Sequence, residues 1–468
     1  MIILGTNSIK ETGFDVANSC RFNDDDAAYL HKTPSGAGNR QKFTLSCWLK
    51  KSSGGTEEIL VAGVNNTNYT RIGFEGGDEL KLFGAASSST VWEIQTQAKF
   101  RDFSAWYNFV FAFDTTQGTA SDRIKIYVNG VRVTPSSGFG DETYPSQNYS
   151  TNINHTEKHR VGVQVNDSGG AYDGYMSEVV LIDNAQLDAT SFGEFDSDSG
   201  IWKPIDVSGL TAGTNGFYLD FEDSSNLGND VFGGTDLTEV NLAATDQSTD
   251  TCTNNNCVIN SLDNYFYAAT LSEGNLKQTA NSGNYSFGTS TFGVSQGKWV
   301  VEVKIESGST VRNVMGITDK VSTGTTNELG SLANGYGYSA NGLIYNNGSE
   351  ITGSYDTFTT NDIIGIYLDL DNNKLYFSKN GTVQNSGTGI SITAPSSTTN
   401  GVYFFAFGDY GASDDSVNNV NFGSPAFAIS SGNTDGEYGN FEYTTTITGD
   451  SASKTFKALN TKNLAEYG

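Results

Sequence analysis

The stretch NDIIGIYLDLDNNKLYFSKNGT, residues 361–382, decides the fold. Ile364, Ile366, Leu368 and Leu370 occupy alternate positions, and Leu375 and Phe377 do the same after the polar break Asp371-Asn372-Asn373. Alternate residues of a strand share one face, so each run turns one apolar side to a core. The short polar break predicts a hairpin, and Asn380-Gly381 ends its second strand with a dipeptide that tolerates positive φ at both turn positions. A similar phrase stands earlier. WYNFVFAFD (106–114) places Tyr107, Phe109, Phe111 and Phe113 on one face; RIKIYVNG (123–130) places Ile124, Ile126 and Val128 on one face and ends in Asn129-Gly130. The same grammar in each half predicts two β domains of related construction.

Length and composition agree. A chain of 468 residues can bury two or three cores at roughly 150 residues per domain. With 54 Gly, 6 Pro and 12% aromatics, the chain suits twisted sheets joined by Gly and Asn turns. Amphipathic helix is scarce, the nearest candidates being 188–195 and 457–466. The formal net charge of -26 argues against nucleic acid, whose phosphates require clustered Lys and Arg, and against attraction to anionic membranes. No apolar run approaches the length of a membrane span, so no membrane insertion is expected. MIILGTNSIK lacks the basic start and apolar core of a signal peptide.

Four Cys are too few for a disulfide scaffold. Cys47 alternates with Phe43, Leu45 and Leu49 and reads as a core residue, as does Cys20. Cys252 and Cys257 could close a small loop or stay reduced; their spacing is a poor zinc signal.

Resemblances sharpen this reading. The order SCWLK, WYNFVFAFD, DRIKIYVNG, GYMSEVVLID resembles laminin-G-like members of the concanavalin A-like lectin/glucanase superfamily, two-sheet jelly rolls. AQLDATSFGEFDSDSGIWKP (185–204), with RFNDDDAAYLHKTP upstream, resembles large virion proteins of tailed phages, many of them marine, described as tail-fibre or lectin-like. GKWVVEVKI, MGI, GYGY, the founding hairpin and YFFAFG together resemble a SPRY domain, a bent sandwich of the same kind. The expected organisation is a leader at 1–15, a laminin-G-like sandwich at 16–206, a connector with one or two strands at 207–262, among them GFYLDFED (216–223), a SPRY-like sandwich at 263–430 and a docking segment at 431–468.

The superfamily includes glucanases, whose paired carboxylates alternate along one strand. The one lookalike, Glu194-Phe195-Asp196-Ser197-Asp198, has Asp where the acid Glu belongs and reads as a helix end and turn. His155 and His159 have a four-residue spacing but no helical context for zinc. No catalytic residue is assigned. The laminin-G resemblance makes calcium a candidate cofactor, with Asp24, Asp25, Asp167 and Asp173 as candidate ligands, although none matches a full calcium loop. If binding is the task, loop aromatics are the candidates for stacking on sugar rings: Tyr144, Tyr149 and Tyr172 in the first half, Tyr336, Tyr338 and Tyr345 in the second. The resemblance implies a non-enzymatic virion appendage, a tail fibre or adhesin. It would be assembled in the host cytoplasm, act as a homo-oligomer with three-fold symmetry, and contact a host-surface glycan or protein and other virion proteins. The alternatives are a purely structural virion decoration or adaptor, and a glycan-degrading enzyme.

Overall fold

The computed structural model describes residues 13–263, 268–280, 286–308, 313–320, 329–409, 416–431, 433 and 436–468. The expected leader lies almost wholly outside them. The chain divides into two compact units, one of residues 11–253 and one built chiefly from 254–468. Each is a β-sandwich.

In the first unit, the described residues form two eight-stranded sheets. The central strands of one are Tyr107–Asp114, Lys42–Lys51 and Gly174–Asp183, all antiparallel neighbours. Phe43, Leu45, Cys47 and Leu49 face inward with Phe109, Phe111 and Phe113, and meet Ile72, Leu82 and Trp92 of the opposite sheet. The intervening residues are buried as well. Trp48, Val110, Val180, Ile182 and Tyr218 pack on the outer face beneath Phe192 and Trp202. Burial on both faces explains the near-continuous apolar runs of these strands.

The second unit repeats the plan with a nine-stranded and a six-stranded sheet among the described residues. The deciding stretch forms Ile363–Asp369 and Lys374–Lys379, with Ile366 opposite Phe377 and Leu368 opposite Leu375. Ile364, Ile366, Leu368, Leu375 and Phe377 all enter the core. The two halves also share their turn chemistry. Asn129 and Gly130 have φ of 46° and 78°, Asn380 and Gly381 of 48° and 78°. In each case the Asn side-chain oxygen accepts a backbone N–H from a neighbouring strand at 2.8 Å, from Asn108 in one unit and Ile363 in the other.

The stretch expected as a connector supplies Phe217–Leu219, within GFYLDFED, and Thr238–Val240 and Gln247–Ser248 to the first unit's sheets, and the two compact units divide at 253/254. Thr238–Val240 and Gln247–Ser248 are two or three residues long, too short to show a period. They are fixed by long-range polar contacts such as the buried Lys50–Asp250 pair at 2.7 Å, to which Trp106 adds an indole N–H at 3.0 Å. The segment at 431–468 is integral to the second unit. Lys457–Ala458 pairs in parallel with Lys298–Ser307. Phe441, Ile447 and Phe456 cover Val300, Tyr367 and Tyr376 on the sheet's outer face. Of the two nearest helix candidates, 457–466 contains most of the helix Thr461–Tyr467, N-capped by Asn460, whereas 188–195 holds a single 3₁₀ turn at Ala189–Ser191. Gly193–Phe195 then pairs with Trp202–Pro204, so a short strand stands where the sequence predicted only a helix end and turn. Phe195 meeting the Trp202 ring edge-on at 4.9 Å favours that hairpin.

Candidate functional site

Lys42–Lys51 begins, and Gly174–Asp183 and Tyr107–Asp114 end, at one end of the first sandwich. The loops gathered there enclose an open groove of about 550 Å³, lined by Asn39, Arg40, Gln41, Ser150, Asp183 and Asn184 among others. Its lining is mostly polar.

Asp183 holds the groove together. It is 3% exposed, and its carboxylate receives three N–H donors from three loops. Oδ1 accepts from the Asn39 backbone at 2.8 Å and from Asn154 Nδ2 at 2.9 Å; Oδ2 accepts from the Asn215 backbone at 3.1 Å. Gly38 is required beside it, because a Cβ there would lie 2.0 Å from Asp183 Oδ2. Asn39 Oδ1 accepts the backbone N–H groups of Gln41 and Lys42, and its Nδ2 donates to Asn184 Oδ1 at 2.7 Å. Asn184 sits at φ 70°, a conformation Asn tolerates better than most residues. Arg40 Nε donates to the Thr151 carbonyl at 2.7 Å, and Gln41 Nε2 to the Asn148 carbonyl at 2.8 Å. One further layer down, the Asn154 backbone N–H donates to His159 Nε2 at 2.9 Å, and His159 Nδ1 bonds the Glu157 carbonyl at 2.8 Å. Burial holds His159 well below its ordinary value, at about 4, so the ring is neutral near pH 7.

A second groove, of about 460 Å³ and largely apolar, opens on the sandwich's side. There the edge strands Val131–Arg132 and Phe139–Thr143 diverge, and Phe100, Val128 and Val133 line it.

The predicted aromatic sites fare unevenly. Tyr172, Tyr336 and Tyr338 are buried core residues, which corrects their reading as loop aromatics. Tyr172 packs against Phe22, Tyr338 against Phe358 and Phe377, and the Tyr336 hydroxyl accepts the Thr393 N–H. Tyr144, Tyr149 and Tyr345 are half-buried. The Tyr144 hydroxyl donates to Glu142 at 2.8 Å, and Tyr149 stands edge-on to Trp92. Tyr149 is thus the one predicted aromatic adjoining the groove, next in sequence to Ser150.

The predicted calcium ligands are not gathered. Asp167 is bound by Lys158 at 2.9 Å and Arg160 at 2.5 Å, which neutralise it. Asp24 and Asp25 are exposed and Asp173 is buried. Asp24 and Asp173 both act on Glu57, whose carboxyl is pushed well up by burial, with Lys51 opposing. Among the described residues, no three His, Cys, Asp or Glu side chains are arranged to hold a metal. Glu194 and Asp196 lie at an exposed hairpin, each within 4 Å of Lys203. The four cysteines are free thiols.

The groove residues Asn39, Arg40, Gln41 and Asn184 escaped the sequence reading. Their one signal is a polar run flanking each of two strong strands, GNRQK before one and DNAQ after the other.

Comparison with known proteins places both units. Residues 23–189 match the Laminin_G_3 model of the concanavalin A-like lectin/glucanases superfamily, and residues 298–408 match the SPRY domain model. Among solved structures, the SPRY domain of human HERC1 is similar at 18% identity, covering 32% of this chain and 91% of that one, with a TM-score of 0.27. A "putative carbohydrate binding protein" from Bacteroides ovatus is similar at 15% identity, covering 49% of this chain and 60% of that one, with a TM-score of 0.34. A heptameric SAP-like pentraxin from Limulus polyphemus is similar at 15% identity, covering 37% and 79%, with a TM-score of 0.27. No curated protein sequence matches the chain.

Proposed function

From a concanavalin A-like domain followed by a SPRY domain, we propose a non-enzymatic recognition protein that binds glycan in the polar groove of its first domain. The carrying observation is the groove itself: amide, hydroxyl and guanidinium groups on loops tied together by the three N–H bonds to Asp183. Sugars are recognised by fixed polar groups of this kind, and preorganisation lowers the entropy cost of binding them. Beyond this, the proposal takes the chain as a virion appendage, a tail fibre or adhesin working as a homo-oligomer. Its support is the phrase resemblance at 185–204 and the upstream acidic motif. The Glu194–Asp198 lookalike, exposed and paired with Lys203, adds nothing in favour of hydrolysis.

The test has two arms. Purified full-length protein is applied to a glycan panel and to intact candidate host cells, beside the double variant Gln41→Ala, Ser150→Ala. Binding by the wild type and its loss in the variant are expected; equal binding by both would remove the groove from the proposal. Antibody labelling of purified particles tests the virion role, and label confined to infected cytosol would end it.

A further inference from the structure

The groove presents more than neutral hydrogen-bonding groups. Arg40 lines it, and two of its nitrogens face carbonyls of the neighbouring loop: Nε at 2.7 Å from Thr151 and Nη2 at 3.5 Å from Ser150. These contacts set the plane of the guanidinium. Among the described residues no hydrogen bond engages Nη1, and it is not among the buried unsatisfied atoms, so it faces solvent. The nearest carboxylate in the lining, Asp183, is buried and already receives three N–H donors. Asp114, at the same end of the sheet, is engaged by Lys42 at 3.0 Å and by Thr116 and Gln117. The Asn184 amide has given its oxygen to Asn39, which leaves its NH₂ as a donor. Outward-facing groups are therefore rich in donors and carry one uncompensated positive charge, on a chain whose net charge is -26.

We propose that the groove selects acidic glycans, with Arg40 receiving the anionic group of the sugar. This rests on the glycan-binding reading and names its ligand class. A fixed guanidinium fork matches the oxygens of a carboxylate or a sulfate ester, and charge-assisted bonds are the stronger ones. Overall negative charge does not forbid this. At 0.15 M salt the screening length is about 8 Å, so the ligand senses the groove more than the distant surface. The excess acid does penalise anionic polymers that find no such fork, which adds to selectivity.

The experiment is calorimetric titration of the full chain with three probes: oligogalacturonate carrying carboxylates, carrageenan oligosaccharide carrying sulfates, and neutral laminari-oligosaccharide. At least one acidic probe is expected to bind about tenfold or more tighter than the neutral one, and whichever binds identifies the group. Raising salt from 50 to 500 mM should weaken that binding. Arg40→Gln should weaken it by about ten- to a hundredfold and weaken neutral binding by a clearly smaller factor. Because Arg40 also braces its loop, Arg40→Lys serves as a second variant that keeps the charge; it should retain intermediate affinity. Neutral and acidic probes bound alike, with no effect of Arg40→Gln or of salt, would overturn the acidic selectivity and leave the glycan reading standing. Binding of no probe at all would take down both.

Discussion

Acidification should remove the share of the first domain's stability that His159 carries. It is 3% exposed and both ring nitrogens are committed, Nε2 accepting from Asn154 and Nδ1 donating to the Glu157 carbonyl. Only the neutral Nδ1–H tautomer satisfies both bonds. A proton on Nε2 would replace an acceptor with a donor facing the Asn154 N–H. Burial is the main cause of the lowered value, with the charges of Lys32 and Arg160 adding to it. Since the folded value lies below the unfolded one, the stability is present above pH 6.5 and is lost as pH falls through about 4. The interval between 6.5 and about 4 corresponds to roughly 3 kcal/mol at ~1.4 kcal/mol per pH unit. For a domain of this size that is about 6–12 °C in Tm. Buried acids work in the opposite direction. Glu58 and Glu302 are raised to about 7 and Glu178 to about 8, chiefly by burial, so they favour the fold at low pH and cost stability as pH rises through those values. The raw melting curve therefore mixes signs, and the comparison must be with His159→Gln, which can accept and donate along the same line but does not titrate. Calorimetric melts from pH 7.5 to 4 should show wild type losing stability relative to the variant. Parallel curves would refute the reasoning, since they would mean that the ring carries no proton-linked energy.

Three further outcomes are expected. Gly38→Ala should abolish groove binding and cost about 1–3 kcal/mol, read by urea denaturation, because the new Cβ collides with a carboxylate that three bonds hold in place. Phe441→Ala, at a fully buried position, should destabilise the second domain by about 3–5 kcal/mol and expose 431–468 to limited proteolysis; a resistant tail would contradict the packing described. EDTA should leave glycan affinity unchanged, since the groove's carboxylate already receives three N–H donors and Asp167 is paired with cations; a loss restored by Ca²⁺ would show that calcium takes part in binding.

What could be read in advance divides along a physical line. Alternation found the two hairpins, and Asn-Gly found their turns, because both signals are local and strong. The same rule sends Tyr336 and Tyr338 inward, since they alternate with Gly337 and Ser339 in GYGYS, whereas the Tyr- and Asn-rich composition of the passage points to loops; alternation is the stronger signal. Thr238–Val240 and Gln247–Ser248 were beyond reach, because a strand of two or three residues is recruited by a partner some two hundred positions away. The groove was hidden for a related reason. Its walls come from loops near 39, 150, 184 and 214, and only the closed sandwich brings them together.

The way Asp183 is bonded has an evolutionary reach. Two of its three donors are main-chain N–H groups, which every residue but proline supplies. Positions 41, 150 and 214 can therefore be rewritten without removing a donor from that post, whereas Arg40 braces its loop and Asn184 holds a positive φ. A lineage pursuing changing surfaces could exchange its specificity at those three places while inheriting the scaffold intact.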